Sequence, residues 1–168
     1  MTSTVAKYVN SGIGTYRPEF AGDNRDQRAY FAWCSLWMAF ALAVAKQGAI
    51  IQVFTDWRQL PTTVDAIQSG GWVWRGLSTW WKPGIRMQVG GYSSSAEYVV
   101  WGTSGPGDIG VGSESTYAPQ NVYRAAPVRD KTHIAEKPES VIEWMLPLCP
   151  AGGLVLDPFA GHGTVLQV

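Results

Sequence analysis

One short segment constrains this chain more than any other. The apolar run Leu154-Val155-Leu156 leads into Asp157-Pro158-Phe159-Ala160-Gly161-His162-Gly163-Thr164. A brief aliphatic run bounded by turn residues reads as a buried strand of the parallel type. The acid then caps the strand, and two glycines two apart let the backbone turn tightly toward whatever sits at its carboxyl end. Open α/β sheets hold their ligands at that edge. The sequence ends at Val168, which leaves no room for a full helix after the bend. Either the elements are wired in an unusual order, or part of the domain is missing.

A chain of 168 residues makes about one domain with a sizeable core. Formal net charge is zero, so an anionic partner has to be met by a local patch rather than by the whole molecule. Only 15% of residues are charged while nine are Trp, which suits both a large core and an aromatic-lined pocket or interface. Cys34 and Cys149 lie far apart in apolar, helix-like segments and read as buried reduced thiols of a cytoplasmic protein. The N-terminus has no basic start and apolar core of the signal-peptide type. Ala29 to Ala45 carries no charge and approaches membrane-spanning length, but it opens from Asp23-Asn24-Arg25-Asp26-Gln27-Arg28 and contains Ser35 and many alanines. It reads as a helix packed on both sides, with a membrane span as the alternative.

The order of elements follows from punctuation and period. Residues 1–22 are loop-like. Asp23 is a plausible N-cap for a helix to about Lys46, which Gly48 ends. Ala49 to Thr55 reads as a buried strand with Asp56-Trp57-Arg58 at its carboxyl end. A helix from Pro61 to Gly70 follows, then strands over Trp72–Trp81 and Glu97–Trp101. A polar stretch, 103–132, contains a short strand near Asn121–Ala126. Pro138 starts a last helix, and Pro147 and Pro150 close it. Alternation of strand and helix predicts an α/β fold with a mostly parallel sheet and helices on both faces.

The glycine bend excludes two familiar ligand types on spacing alone. A dinucleotide fingerprint needs a third glycine where Leu166 stands, and a phosphate-cradling loop needs a Lys between Gly163 and Thr164. An adenosine-type or amino-acid-type ligand lying across a strand end remains, with a purely structural turn as the bland alternative. Asp157 can accept hydrogen bonds from an ammonium or hydroxyl, and Phe159 can stack. Two His and two Cys share no ligand spacing, so no metal is expected.

Asp157-Pro158-Phe159-Ala160-Gly161-His162-Gly163-Thr164 resembles the S-adenosylmethionine loop, Asp-Pro-Phe-x-Gly-x-Gly-Thr, of the site-specific, amino-directed DNA methyltransferases that act on adenine N6 or cytosine N4. His133 through Lys137-Pro138, with its apolar helix, resembles the segment that lines the methionine side of the cofactor in that family. Phe54-Thr55-Asp56-Trp57, Trp74-Arg75-Gly76, Trp80-Trp81-Lys82 and Glu97-Tyr98-Val99-Val100-Trp101 resemble successive strands in the permuted order that one branch uses. Together these span about 23–168.

The resemblance implies a Rossmann-like S-adenosylmethionine-dependent methyltransferase fold, a single partial domain over 1–168 with 103–132 as target-recognition segment, and double-stranded DNA as partner. Its cofactor residues would be Asp56, His133, Lys137, Pro138, Asp157, Pro158, Phe159, Gly161, Gly163 and Thr164. In this family a tetrad with two adjacent prolines holds the flipped base, so that the amine nitrogen faces the sulfonium methyl. No Pro-Pro occurs in this sequence, and the acid expected beyond the glycine loop is missing as well. The expectation is therefore a core clipped at both ends, without catalytic residues of its own and inactive alone. Arg75, Lys82, Arg86, Arg124, Arg129 and Lys131 are candidates for phosphate contact if they share a face. Two alternatives stay open: a non-catalytic cofactor- or DNA-binding remnant, and a fragment of an RNA or small-molecule methyltransferase.

Overall fold

The computed structural model describes residues 26–85, 89–105, 119–128, 136–149, 151–161 and 163–168. The uncharged run forms one helix, α1 (Gln27–Val44), whose N-cap is Asp26 rather than the expected Asp23. Asp26 accepts the Ala29 N–H at 2.8 Å, satisfying one of the donors that a helix start leaves open. Strand β1 (Ile50–Thr55) and helix α2 (Leu60–Ser69) follow, with Pro61 in the first turn of α2, where its missing N–H costs nothing. Then come β2 (Val73–Trp81), β3 (Ala96–Thr103), β4 (Val122–Arg124), α3 (Glu139–Met145) and a single-turn helix α4 (Thr164–Gln167).

The strands form one sheet in the order β1-β3-β2-β4. β3 runs antiparallel to both β1 and β2, whereas β2 and β4 are parallel. Three of the strands therefore share a direction, but inserting β3 between two of them makes two of the three ladders antiparallel. The expected mostly parallel sheet holds for strand direction and not for pairing.

Strand period puts alternate residues on opposite faces. Ile51 and Val100 point to the side of α1 and α2, where they pack with Cys34, Met38, Ala66, Ile67 and Trp72. The Trp72 indole N–H donates to the Met38 carbonyl at 2.8 Å, tying the start of β2 to α1. Cys34 is buried and Cys149 partly so, and neither forms a disulfide. Gln52 points the other way, and its amide donates to the Met145 carbonyl of α3 at 3.2 Å. Tyr123 of β4 stacks on Trp144 of α3 on that same side, with 5.4 Å between ring centres. Helices thus cover both faces, as expected.

Two expectations fail. Leu154, Val155 and Leu156 form no strand and are 98%, 46% and 64% exposed. A strand needs a ladder with at least one neighbour, and among the described residues no strand pairs with this run. No helix among the described residues is long and apolar enough to cross a membrane. The helix α1 packs one side on the core through Cys34 and Met38, while Leu36 and Phe40 are exposed, so it is not packed on both sides as expected.

Candidate active site at the carboxyl edge of the sheet

The register brings the chemistry to one edge. Thr55 at the end of β1 and Thr79 near the end of β2 both pair with Tyr98, near the start of β3. The residues just beyond them, Asp56-Trp57-Arg58, Lys82, Ser94, Ala96 and Glu97, therefore gather at the carboxyl ends of β1 and β2. They line a cavity of about 430 Å³ together with Phe54 and Lys137. That volume lies inside the range usual for small-molecule sites.

Glu97 is the electrostatic centre of this cavity. Its carboxylate meets Lys82 Nζ at 3.0 Å and Lys137 Nζ at 3.4 Å. Burial alone raises its pKa, but the ammoniums of Lys137 and then Lys82 more than offset this and hold the carboxyl below its usual value. Lys137 Nζ also lies 5.1 Å from the centre of the Phe54 ring. The Lys-Pro segment before α3 is thereby anchored to the sheet edge. Asp56 is committed differently. Its Oδ1 accepts the backbone N–H groups of Arg58 and Gln59 at 2.9 and 3.0 Å, and its Oδ2 meets the Arg58 guanidinium at 3.2 Å. These bonds shape the turn into α2.

A second cavity of about 260 Å³ lies on the other side of Lys137. Glu136, Lys137, Pro138 and Glu139 form one wall, and Thr164 and Gln167 of α4 form another. Thr164 is buried, at 8% exposure. Gly161 and Gly163 take positive φ of 55° and 81°, conformations that L side chains rarely adopt, and this is what turns the chain into α4. The start of α4, directly after the glycine bend, and the Lys-Pro segment therefore face each other across a cavity.

The remaining loop residues lie elsewhere. Asp157 Oδ1 accepts the Phe159 N–H at 3.0 Å, which closes the loop on itself. The Phe159 ring packs against α1, 5.4 Å from the Trp33 ring and 5.0 Å from that of Trp37, edge-on to the latter. Pro158 and Gly161 are exposed. The structure thus joins Lys137, Pro138 and Thr164 in one cavity and Lys137 with Asp56 in the other, while Phe159 docks on α1. His133, Arg86, Arg129, Lys131 and His162 lie outside the described residues. Among the other cations, Arg75 donates to Thr103 Oγ1 at 2.9 Å, near the far end of β2.

Two buried polar atoms find no partner among the described residues: the indole nitrogen of Trp37, whose ring meets Phe159, and Oε1 of Gln59, whose own N–H is held by Asp56. Each is a hydrogen-bonding group left over beside a candidate residue. Sequence reasoning missed Glu97 as an ion-pair partner and missed Trp33 and Trp37 as the seat of Phe159. For Glu97 a signal existed, because a lone acid opening an apolar strand has to find donors.

The family model for DNA methylases of the N6/N4 type matches residues 13–168. The chain belongs to the DNA methylase family. No curated protein matches it in sequence. Among solved structures it is similar to M1.HpyAVI in complex with SAM, at a TM-score of 0.64 and 19% identity, over 77% of this chain and 66% of that one. A second M1.HpyAVI structure matches at a TM-score of 0.56 and 18% identity, over 78% and 65%. At such identities the likeness speaks for the fold, the α/β fold of a methyltransferase. The chain spans just under two thirds of the M1.HpyAVI chains that it resembles.

Proposed function

We propose that this chain forms the cofactor-binding part of a DNA methyltransferase that moves a methyl group from S-adenosylmethionine to an exocyclic amine, adenine N6 or cytosine N4. The observation that carries the reading is the cavity between Glu136-Lys137-Pro138-Glu139 and Thr164, in a chain of the DNA methylase family. The residues present fit the cofactor. Glu136 and Glu139 place carboxylates on the wall where the ammonium of the zwitterionic methionine end would lie, and Thr164 offers a buried hydroxyl. When bound, the cofactor supplies an electrophilic methyl on sulfur, which needs no metal. Lys137 and Pro138 hold one wall, and Lys137 is itself held by Glu97. Asp157 keeps the glycine loop in shape through the Phe159 N–H. His133, Pro158, Gly161, Gly163 and Asp56 complete the proposed cofactor set, and 103–132 is the proposed target-recognition segment on duplex DNA.

Transfer needs more than cofactor binding. An amine hydrogen has to be accepted and the base held flat while the nitrogen lone pair faces the methyl. With no Pro-Pro in this sequence, that clamp is absent, and the chain alone binds cofactor without turning over. Calorimetry with S-adenosylhomocysteine tests the first half. Binding is expected, with affinity falling about tenfold or more in Lys137→Met, as for loss of a charged hydrogen-bonding group. A labelled-methyl assay on duplex DNA tests the second half, and no transfer is expected. Absence of any heat with the homocysteine compound would overturn the proposal, and robust transfer would overturn the inactivity.

A further inference from the structure

Two exposed indoles stand at the same edge of the sheet, each with a guanidinium on its face. Trp57 directly follows β1 and is 58% exposed, with the Arg58 guanidinium 5.0 Å from its ring centre. Trp81 closes β2 and is 44% exposed, with the Arg124 guanidinium 5.3 Å from its ring centre. Thr55 and Thr79 pair with Tyr98 from opposite sides, and Trp57 and Trp81 each lie two residues further along. The strands β1, which leads into Trp57, and β2, which ends on Trp81, are separated by β3 alone, hence by about 10 Å. The cavity whose lining includes Trp57, Arg58 and Lys82 opens at this edge.

Two neighbouring indoles are buried instead. Trp72 and Trp80 are 5% and 1% exposed, and each donates its N–H to a backbone carbonyl, of Met38 at 2.8 Å and of Ala125 at 2.9 Å. Trp57 and Trp81 instead present flat apolar faces to water. An arginine laid on such a face extends the flat surface and keeps a fork of donors able to reach phosphate. Arg58 also meets Asp56, and Lys82 meets Glu97, so these cations are held in place. Arg58, Lys82 and Arg124 still outnumber Asp56 and Glu97 by three to two. Aromatic platforms interleaved with cations are what unpaired nucleic acid strands bind to, because every base has a face to stack. In a closed duplex those faces are occupied by neighbouring bases.

We infer that this edge is a platform for unpaired DNA bases, with Trp57 and Trp81 stacking bases and Arg58, Lys82 and Arg124 meeting the adjoining phosphates. The choice of DNA rests on the function proposed above.

Fluorescence anisotropy with a short labelled DNA single strand, the same sequence as duplex, and its RNA counterpart provides the test. The intact chain is expected to prefer the DNA single strand to the duplex. Trp57→Ala and Trp81→Ala are each expected to weaken single-strand binding about tenfold, the scale of one lost stacking contact. Trp74→Ala, an equally exposed indole at the opposite end of β2, is expected to bind like the parent. Circular dichroism of each variant guards against misfolding. Preference for duplex or for RNA, or Trp57 and Trp81 variants within twofold of the parent, would overturn the platform. If S-adenosylhomocysteine binds while no DNA does, the platform alone fails. If neither binds, the proposed function falls with it.

Discussion

Glu97 shows how one side chain links two parts of the site. Its carboxylate holds Lys82, which follows β2, and Lys137, which precedes α3. Because the folded pKa lies below the ordinary carboxylate value of 4.5, the unfolded chain binds a proton more readily at moderately acid pH. The contribution of Glu97 to stability is therefore complete above about pH 4.5 and is lost as pH falls through the lowered folded value. Thermal unfolding followed from neutral pH to pH 3 should show a lower midpoint for Glu97→Gln at neutral pH. The difference from the parent should shrink as the solution is acidified. Curves that stay parallel throughout would mean that the ion pairs contribute nothing to stability.

At the scale of elements, α1 divides its apolar residues between two fates. Met38 is fully buried against the Trp72 side of the core, whereas Phe40, two residues on, is 67% exposed. Met38→Ala should cost ~2–5 kcal/mol in urea denaturation, through lost burial and the cavity left behind. Phe40→Ala should stay within about 0.5 kcal/mol, as a surface substitution does. Equal losses would show that the exposed face of α1 is covered in solution. The same helix shows what a sequence makes legible. Its uncharged run and acidic start were readable, and the strands over 50–55, 73–81 and 96–103 fell within a residue or two of expectation, since each signal is local. The insertion of β3 between β1 and β2 was not readable, because pairing order depends on contacts distant in sequence. Leu154-Val155-Leu156 misled for a related reason: an apolar run becomes a buried strand only where a neighbouring strand supplies a ladder and another layer covers its face. In the site, the meeting of Lys137, Pro138 and Thr164 followed from recognising the two segments together. The docking of Phe159 on Trp33 and Trp37 had no local signature.

At the scale of the whole molecule, charge decides how DNA can be held. A formal net charge of zero provides no long-range field, so attraction to phosphate has to come from the few cations at the carboxyl edge. Three of them, Arg58, Lys82 and Arg124, stand with the exposed indoles or at the cavity between their strands. If each displaces one counterion from a single strand, log affinity should fall against log salt with a slope of about −2, or roughly 20-fold between 50 and 200 mM. Stacking on Trp57 and Trp81 has no such dependence, so their alanine variants should lower affinity at every salt concentration without changing the slope. Arg124→Ala should instead reduce the slope by about 0.7, the share of one phosphate contact. Anisotropy titrations over a salt series distinguish these outcomes. A slope near zero would remove the cations from the interface, and one much steeper than −4 would require a basic surface larger than this edge provides.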